Sequence, residues 1–280
     1  MVRTITKTTN IRVALGFSEF NNVLNRPRND EVFRNAGFSI VQSSGSESKP
    51  FENTIEEVLT AVNSSHGAVA FDISSMTRVW HGAIVRKLRT MKLPNALRTF
   101  FVYVPAKFQD PPSKNPDNEV VEPVEGFASL MPPDLPVAAI LGLGCEREKA
   151  LGIEQLLDPK LTALMIPRFG GDDRFYAWVL RNNRYILEKT RSEWKFDYRL
   201  DAPAATFNVL NSVVGGLVED YRVVLASFGP KILGVLCFLL AAKQPEVSVW
   251  RISSGRHASP RDASPDLKRT VVFEVLWTPS

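Results

Sequence analysis

Residues 221–242 read YRVVLASFGPKILGVLCFLLAA, an apolar strand pattern followed by a short turn and an apolar helix pattern. The turn contains Ser227, Gly229 and Lys231. Glycine permits a tight turn, and proline fixes the φ of a first helical residue. The backbone N–H groups and the lysine then face the end of the strand, as in α/β sheets that bind phosphate. The alternative is an ordinary helix start with a solvated lysine.

Strand and helix patterns alternate along both halves of the chain. The strand patterns cover residues 11–15, 67–72, 98–104, 137–141, 161–166, 194–199, 221–226, 247–252 and 270–276. The helix patterns cover residues 52–62, 76–91, 146–157, 175–187, 206–217 and 232–242. Strands separated by helices of this length indicate βαβ units with right-handed crossovers. We therefore predict an α/β fold with two Rossmann-like parallel-sheet halves, or one sheet that the other extends, with the last strand antiparallel at an edge.

The periodicity stops between residues 107 and 135, which are rich in proline and acidic residues. This composition without an apolar face is typical of a surface loop. Phe127 and Leu130 are the apolar side chains expected to anchor it. We therefore predict an N-terminal Rossmann-like α/β domain at residues 1–106, a proline-rich linker at 107–135 and a second Rossmann-like domain at 136–280.

Composition is typical of a globular protein of the reducing cytoplasm. The 280 residues are 44% hydrophobic and 23% charged, with a formal net charge of +4. This charge is compatible with an anionic ligand but too low to favour direct nucleic-acid binding. Two cysteines, Cys145 and Cys237, exclude a disulfide scaffold and a cysteine-rich zinc site. The N-terminus lacks the apolar core of a signal peptide, and a charged turn interrupts the most apolar window, so we expect no membrane association.

Ligands of parallel α/β sheets bind beyond the carboxyl ends of the strands, where the strand order reverses. One turn of this kind follows the strand at 137–141, and its glycines would let the backbone approach a ligand. The alternative there is a tight turn with a solvent-facing ion pair. The turn after the strand at 221–226 is the other, and we predict that both turns share one edge of the sheet. The candidate binding residues at the two turns are Gly142, Gly144, Glu146, Arg147, Ser227, Gly229 and Lys231.

A further candidate site follows the strand pattern at 67–72. Asp72, Ser74 and Arg78 offer a carboxylate, a hydroxyl and a fixed cation, which together suit a ribose and a phosphate. The alternative is a helix cap, in which Ser74 or Ser75 binds the first amides and Asp72 favours the helix N-terminus.

Catalytic groups are harder to assign. The three histidines have no metal-ligand spacing, and the sequence contains no zinc-protease, nucleophile-elbow or P-loop motif. Cys145 would act as a nucleophile only if a helix N-terminus lowered the pKa of its thiol. We therefore assign no catalytic residue, no metal and no cofactor. The basic segment at 253–260 is expected to form a loop able to close over an anionic ligand.

The second half, from about residue 136 to 276, resembles the CRISPR-associated Rossmann fold, a nucleotide-sensing domain of prokaryotic antiviral systems. Domains of that family place a glycine turn after their first strand, which Leu141 to Arg147 resemble. They also carry a later glycine-threonine-lysine type turn that opens a helix and contacts a cyclic-oligonucleotide phosphate. Gly229-Pro230-Lys231 resembles that turn, with proline in place of threonine.

The resemblance implies a regulatory or ligand-binding subunit rather than an enzyme. Its expected ligand is a nucleotide or cyclic oligonucleotide, and its expected partner is an effector protein or a further copy of the chain. The first alternative is an enzyme on a Rossmann-like scaffold, such as a nucleotide or NAD hydrolase or transferase, with Asp72 or Glu146 as acid–base group. The second alternative is a structural subunit whose sheet edges serve assembly.

Overall fold

The computed structural model describes residues 11–109, 118–170, 173–254 and 262–279 of the chain. The chain divides into two compact units. The first unit contains Met1–Lys107 and Ser259–Ser280, and the second unit contains Phe108–Ala258. Each unit is a mixed α/β structure in which parallel strands alternate with helices, so the predicted α/β class is confirmed.

The described residues form strands and helices that alternate along most of the chain. The strands are β1 (Val13–Phe17), β2 (Ser39–Ser43), β3 (Ala68–Asp72), β4 (Leu97–Tyr103), β5 (Val120–Pro123), β6 (Val137–Gly142), β7 (Leu161–Arg168), β8 (Lys195–Arg199), β9 (Arg222–Ser227), β10 (Ser248–Ser253) and β11 (Val271–Trp277). The helices are α1 (Arg26–Asn35), α2 (Lys49–Ser64), α3 (Arg78–Thr90), α4 (Lys149–Leu157), α5 (Asp173–Asn182), α6 (Arg184–Lys189), α7 (Pro203–Gly215) and α8 (Lys231–Lys243). Among the described residues, β4, β5 and β6 follow one another without a helix between them.

The second unit is built on a six-stranded sheet with the order β5-β10-β9-β6-β7-β8. All neighbouring strands in it are parallel except β5, which pairs antiparallel with β10. In the central strands β6 and β9, every residue after the first is buried. Their nearly continuous apolar sequences are typical of parallel strands covered on both faces, and they place the core of this unit at the centre of the sheet.

The first unit holds two smaller sheets. β1 and β2 form a parallel pair, and β3, β4 and β11 form a sheet of order β11-β4-β3. In the latter sheet β3 is parallel and β11 antiparallel to β4. α2 and α3 supply most of the buried apolar side chains of the helices, at helical spacing.

The last strand belongs to the first unit, which differs from the predicted domain boundary at residue 136. β11 pairs with β4 in a register that runs from Val271–Tyr103 to Trp277–Leu97. Its antiparallel position at a sheet edge agrees with the prediction. The strand pattern is local, whereas the pairing partner lies 168 to 180 positions away in the chain, from Val271–Tyr103 to Trp277–Leu97. No local pattern reports a contact of that separation.

The segment predicted as a linker is only partly irregular. Within it, β5 is an edge strand of the second unit, and residues 110–117 lie outside the described part of the chain. Phe127 is 2% exposed and packs edge-on against Phe238, with ring centroids 4.9 Å apart, so its anchoring role is confirmed. Leu130 is 95% exposed, so the same expectation for Leu130 is wrong.

Several elements differ from the predicted ones for local reasons. α1 has no buried residue and β2 buries only Ser43, so neither shows the apolar period by which the other elements were recognised. β7 continues through Pro167 to Arg168. The pairing with β6 ends at Met165, so Pro167 lies where β7 has a neighbour on one side only, which proline tolerates. The helix predicted over 175–187 is divided at Asn183 into α5 and α6.

Among the described residues, no helix is both long enough and apolar enough to cross a membrane. The same residues contain no group of three or more histidine, cysteine, aspartate or glutamate side chains placed to hold a metal ion.

Candidate functional site

The strand order of the second unit reverses between β6 and β9. From β6 the chain adds β7 and β8 on one side, and it then returns to place β9 on the other side of β6. β6 and β9 are parallel neighbours, with Gly142 opposite Ser227 at their carboxyl ends. We call these two strand ends and the turns that follow them the switch point. The prediction that the two glycine turns share one edge of the sheet is therefore confirmed.

The two turns touch through their backbones. A Cβ atom added at Gly144 would lie 2.3 Å from the carbonyl oxygen of Phe228, and one added at Gly229 would lie 2.2 Å from that of Leu143. The amide of Phe228 also donates a 2.8 Å hydrogen bond to the carbonyl of Gly142. Side chains at these positions would separate the turns, so close packing explains both glycines. Direct ligand contact by Gly142, Gly144 or Gly229 stays a prediction.

The turn after β6 has its carbonyls bound and its amides available. Asn183 Nδ2 donates to the carbonyl of Gly144 over 2.8 Å, and Asn182 Nδ2 donates to that of Cys145 over 2.6 Å. Within the described residues, the amides of 144–147 donate no hydrogen bond to a backbone carbonyl. Successive amides of this kind form the concave donor sites that bind anions in many proteins.

The helices that follow the two turns begin without side-chain caps. α4 and α8 have no side-chain hydrogen bond to their first amides and no acidic residue in their first turns. The unbonded amides and the macrodipole of a helix give its N-terminus a partial positive charge. Since both helices start at the switch point, two such partial charges lie at the same edge of the sheet.

Lys149 is a charged residue at the switch point that the sequence pattern missed. Its side chain is 10% exposed, and its Nζ donates to Ser254 Oγ over 3.0 Å and pairs with Glu146 Oε1 at 3.2 Å. Ser254 follows β10, so this contact passes over the end of β9. Lys149 thus brings a cation to the edge where the amides and helix ends already favour an anion, and the carboxylate of Glu146 offsets part of its charge.

Lys231 was chosen as a candidate because it lies in the first turn of a helix. The same criterion would have selected Lys149 if the start of its helix had been predicted correctly. The predicted helix begins at Glu146, three residues too early, so Glu146 and Arg147 lie in the turn and not in the first helical turn as expected. Glu148 adopts a left-handed φ of 53° just before α4 and delays the start of the helix. Arg147 is exposed, and the Glu146 side chain is 45% exposed.

Ser227 has an unsatisfied hydroxyl at the switch point. Ser227 is 6% exposed, and its Oγ has no hydrogen-bond partner within the described residues. A buried hydroxyl without a partner is uncommon because its desolvation is not offset. Lys231 begins α8, as predicted, and is half-buried, with Pro230 as the residue before it.

Two other side chains at this edge show shifted pKa values. Burial, with a smaller contribution from Glu146, raises the pKa of the Cys145 thiol to about 11. The direction is opposite to the one that a nucleophile requires, so the structure argues against that role for Cys145. Burial also raises the pKa of Glu148, although its carboxylate accepts a hydrogen bond from the Tyr185 amide and thereby caps α6.

The remaining candidates, Asp72, Ser74 and Arg78, lie in the first unit. Asp72 Oδ1 accepts hydrogen bonds from the amide and the hydroxyl of Ser74, over 2.9 Å and 2.5 Å. Ser74 Oγ in turn accepts one from the Val104 amide over 2.8 Å. These contacts tie the end of β3 to the end of β4, which supports the structural alternative for Asp72 and Ser74.

The cap of α3 is Thr77, and not Ser74 or Ser75 as the capping alternative expected. Its side chain accepts a hydrogen bond from the Trp80 amide. Arg78 is the first residue of α3. Burial raises the pKa of the Tyr103 hydroxyl to about 12, and the positive charge of Arg78 partly offsets this rise.

The structure brings seven of the ten candidate residues together at the switch point and leaves three in the first unit.

Comparison with known proteins does not identify a family for this chain. No protein-family model matches it, and no curated protein matches it. The resemblance to the CRISPR-associated Rossmann fold therefore stays a prediction.

Proposed function

We propose that the second unit binds a nucleotide-like anion at the switch point. We further propose that the protein is a regulatory subunit of a prokaryotic antiviral system that acts with a partner effector. The first part of the proposal depends on the geometry of the site. The second part, including a cyclic oligonucleotide as the ligand, depends on the resemblance of the two turns.

The observation that carries the proposal is the nine-tenths buried Lys149 beside the available amides of the turn after β6. A phosphate oxygen accepts hydrogen bonds from both kinds of donor, and charge-assisted bonds are the stronger ones. The start of α8 and the unpartnered Ser227 hydroxyl lie at the same edge. Parallel α/β sheets commonly bind nucleotides at this position in the strand order.

Two contacts and one pKa shift favour binding over catalysis. The two carboxylates suggested as acid–base groups each have a partner, since Glu146 pairs with Lys149 and Asp72 binds Ser74. The raised pKa keeps the Cys145 thiol protonated at neutral pH. At the switch point, a paired carboxylate and a buried cation suit the recognition of an anion, so the enzymatic alternative is the second choice.

The test is a thermal-shift screen with mononucleotides, NAD, and linear and cyclic oligonucleotides at fixed ionic strength. A ligand at one hundred times its Kd should stabilise the protein by about 2.7 kcal/mol. The screen compares the wild type with Lys149→Met and with Lys160→Met, which alters an exposed lysine at the amino-terminal end of β7.

We expect a shift with at least one phosphate-bearing ligand in the wild type and in Lys160→Met, and a smaller one in Lys149→Met. No shift with any member of the panel, or equal shifts in all three proteins, would contradict the proposed site. A shift restricted to cyclic oligonucleotides would support the regulatory role in defence, and one restricted to NAD would contradict it.

A further inference from the structure

The first unit contains a cavity of about 740 Å³ between β1 and β3. The consecutive residues 11–15 line one wall and the consecutive residues 67–72 line the opposite wall. Successive side chains of a strand point to opposite faces of its sheet. A cavity on one face of a sheet would be lined by every second residue of a strand. Since consecutive residues of both strands line this cavity, it borders the edges of the two strands.

Neither of these edges has a neighbouring strand in the part of the chain that the structure describes. Within the described residues, β1 pairs only with β2, and β3 pairs only with β4. Ala68 and Ala70 of β3 are exposed, although α2 and α3 cover this region with apolar side chains. Each open edge presents a row of backbone N–H and C=O groups to the cavity, and such groups are strong hydrogen-bonding partners.

The other walls of the cavity are apolar. α2 contributes Phe51, Ile55 and Val58, and α3 contributes Trp80. Trp80 is 1% exposed and stacks on Phe17 at a centroid distance of 4.7 Å, and its Nε1 donates to the carbonyls of Ser44 and Glu47. These contacts fix the aromatic wall in place, so the cavity combines apolar faces with two polar strand edges.

We propose that this cavity binds an extended apolar peptide, which completes the sheet as an additional strand between β1 and β3. An occupant must present regularly spaced donors and acceptors on both of its edges to satisfy the two strands, and an extended peptide does so. A lipid or an aromatic molecule would fill the volume but leave both rows of backbone groups without partners. This site is independent of the anion site of the second unit.

The structure also defines the length and composition of the peptide. β1 and β3 have five residues each, so the slot takes about five residues, or roughly 17 Å of extended chain. The helix side chains that line the slot, among them Phe51, Ile55 and Val58, are apolar, so apolar side chains of an occupant suit it. The ligand class is therefore a short apolar segment of a protein, presented in extended conformation.

The first experiment measures hydrogen exchange of the full chain with and without a synthetic probe. The probe has about five alternating valine and isoleucine residues between lysine pairs, and its control carries N-methyl groups on alternate amides. We expect the probe to protect amides within 13–17 and 68–72 and to leave the second unit unchanged. N-methylation removes donors and should weaken binding roughly tenfold or more, since buried strand groups would then lack partners.

Matched variants locate the site. Ala70→Phe places a ring in the cavity, whereas Val272→Phe places the same ring on a 54% exposed residue of β11 that does not line it. We expect Ala70→Phe to abolish probe binding and Val272→Phe to retain it, with thermal unfolding as the check that both variants fold. Ala68→Leu serves as a second filling variant if Ala70→Phe does not fold.

Three outcomes would overturn the proposal. Protection, without the probe, of those amides in 13–17 and 68–72 that do not donate to β2 or β4 would mean that β1 and β3 pair directly and leave no slot. Equal binding of the N-methylated control would remove the role of the strand edges. Binding of laurate at the same residues, with no binding of the peptide, would assign the cavity to a lipid-like molecule.

Discussion

In the turn after β3 of the first unit, the side chains of Asp72, Ser74 and Thr77 bind backbone groups. In the second unit, by contrast, no side chain caps the helices that follow β6 and β9. All three are strand-to-helix turns beside parallel strands. The turn after β3 is closed by its own residues and contributes stability. The turns at the switch point leave donors available, which is the condition for binding an external anion.

The first helical residues reinforce this difference. α4 begins with Lys149 and α8 with Lys231, in the position where a helix favours negative charge. Neither first turn contains an acidic residue, and Glu146 in the preceding turn offsets only part of the added positive charge. A bound anion offsets that cost, so the second unit is expected to gain stability from a ligand where the first unit already has its partners.

The largest expected effect on stability comes from a substitution that forces the two glycine turns apart. Gly144→Ala places a Cβ against the Phe228 carbonyl and should lower the free energy of unfolding by about 3 kcal/mol. Gly152→Ala is the matched control, because nothing lies within 4 Å of its added Cβ. In that helix alanine should raise stability by about 0.5–1 kcal/mol. Urea unfolding measures both, and equal values would show that the turns do not need to touch.

The next effect concerns charge at the switch point. Lys231→Ala should weaken binding of a ligand found in the nucleotide screen by about 1–3 kcal/mol, the range for a hydrogen bond to a charged group. Arg78→Ala removes a cation from the first residue of α3 in the first unit and should leave the affinity unchanged. Titration calorimetry at fixed salt compares the two. An equal loss in both variants would erase the distinction between the units, and no loss in Lys231→Ala would leave Lys231 with a packing role only.

A smaller effect should appear in the self-contained turn of the first unit. Ser74→Ala leaves the Val104 amide without its acceptor and Asp72 without one donor, and should lower the free energy of unfolding by about 1–2 kcal/mol. Ser75→Ala, at the exposed neighbouring residue, should change stability little. Neither variant should alter nucleotide affinity. A reduced affinity in Ser74→Ala would mean that this turn also belongs to a binding site.

The last effect, confined to alkaline pH, is the pH dependence of stability caused by Cys145. Because burial raises the pKa of the folded thiol from 9.0 to about 11, the folded protein binds more protons than the unfolded chain between these values. Stability from this group is therefore present below pH 9 and is lost as pH rises through about 11. Cys145→Ala should show a shallower alkaline decline in chemical unfolding experiments. Identical profiles would indicate that the thiol is not desolvated.

Much of the second unit could be predicted because its signals are local. The apolar runs of β6 and β9 identify buried parallel strands, and the glycines that follow mark their turns. The parallel alternation then places both turns at one edge. Lys149 was missed because a left-handed residue, Glu148, shifts the helix start by three positions. A non-glycine residue with positive φ has no reliable signature in a single sequence.

The sequence by itself determined the α/β class, the main strands and helices, and the two glycine turns, because each follows from apolar period and turn chemistry within a few residues. Only the tertiary structure decided that β11 joins β4, that β1 and β3 stand apart around a cavity, and that Lys149 reaches Ser254 beyond β10. These features join segments far apart in the chain. Their free energy comes from strand pairing and burial between such segments, which local propensity does not encode.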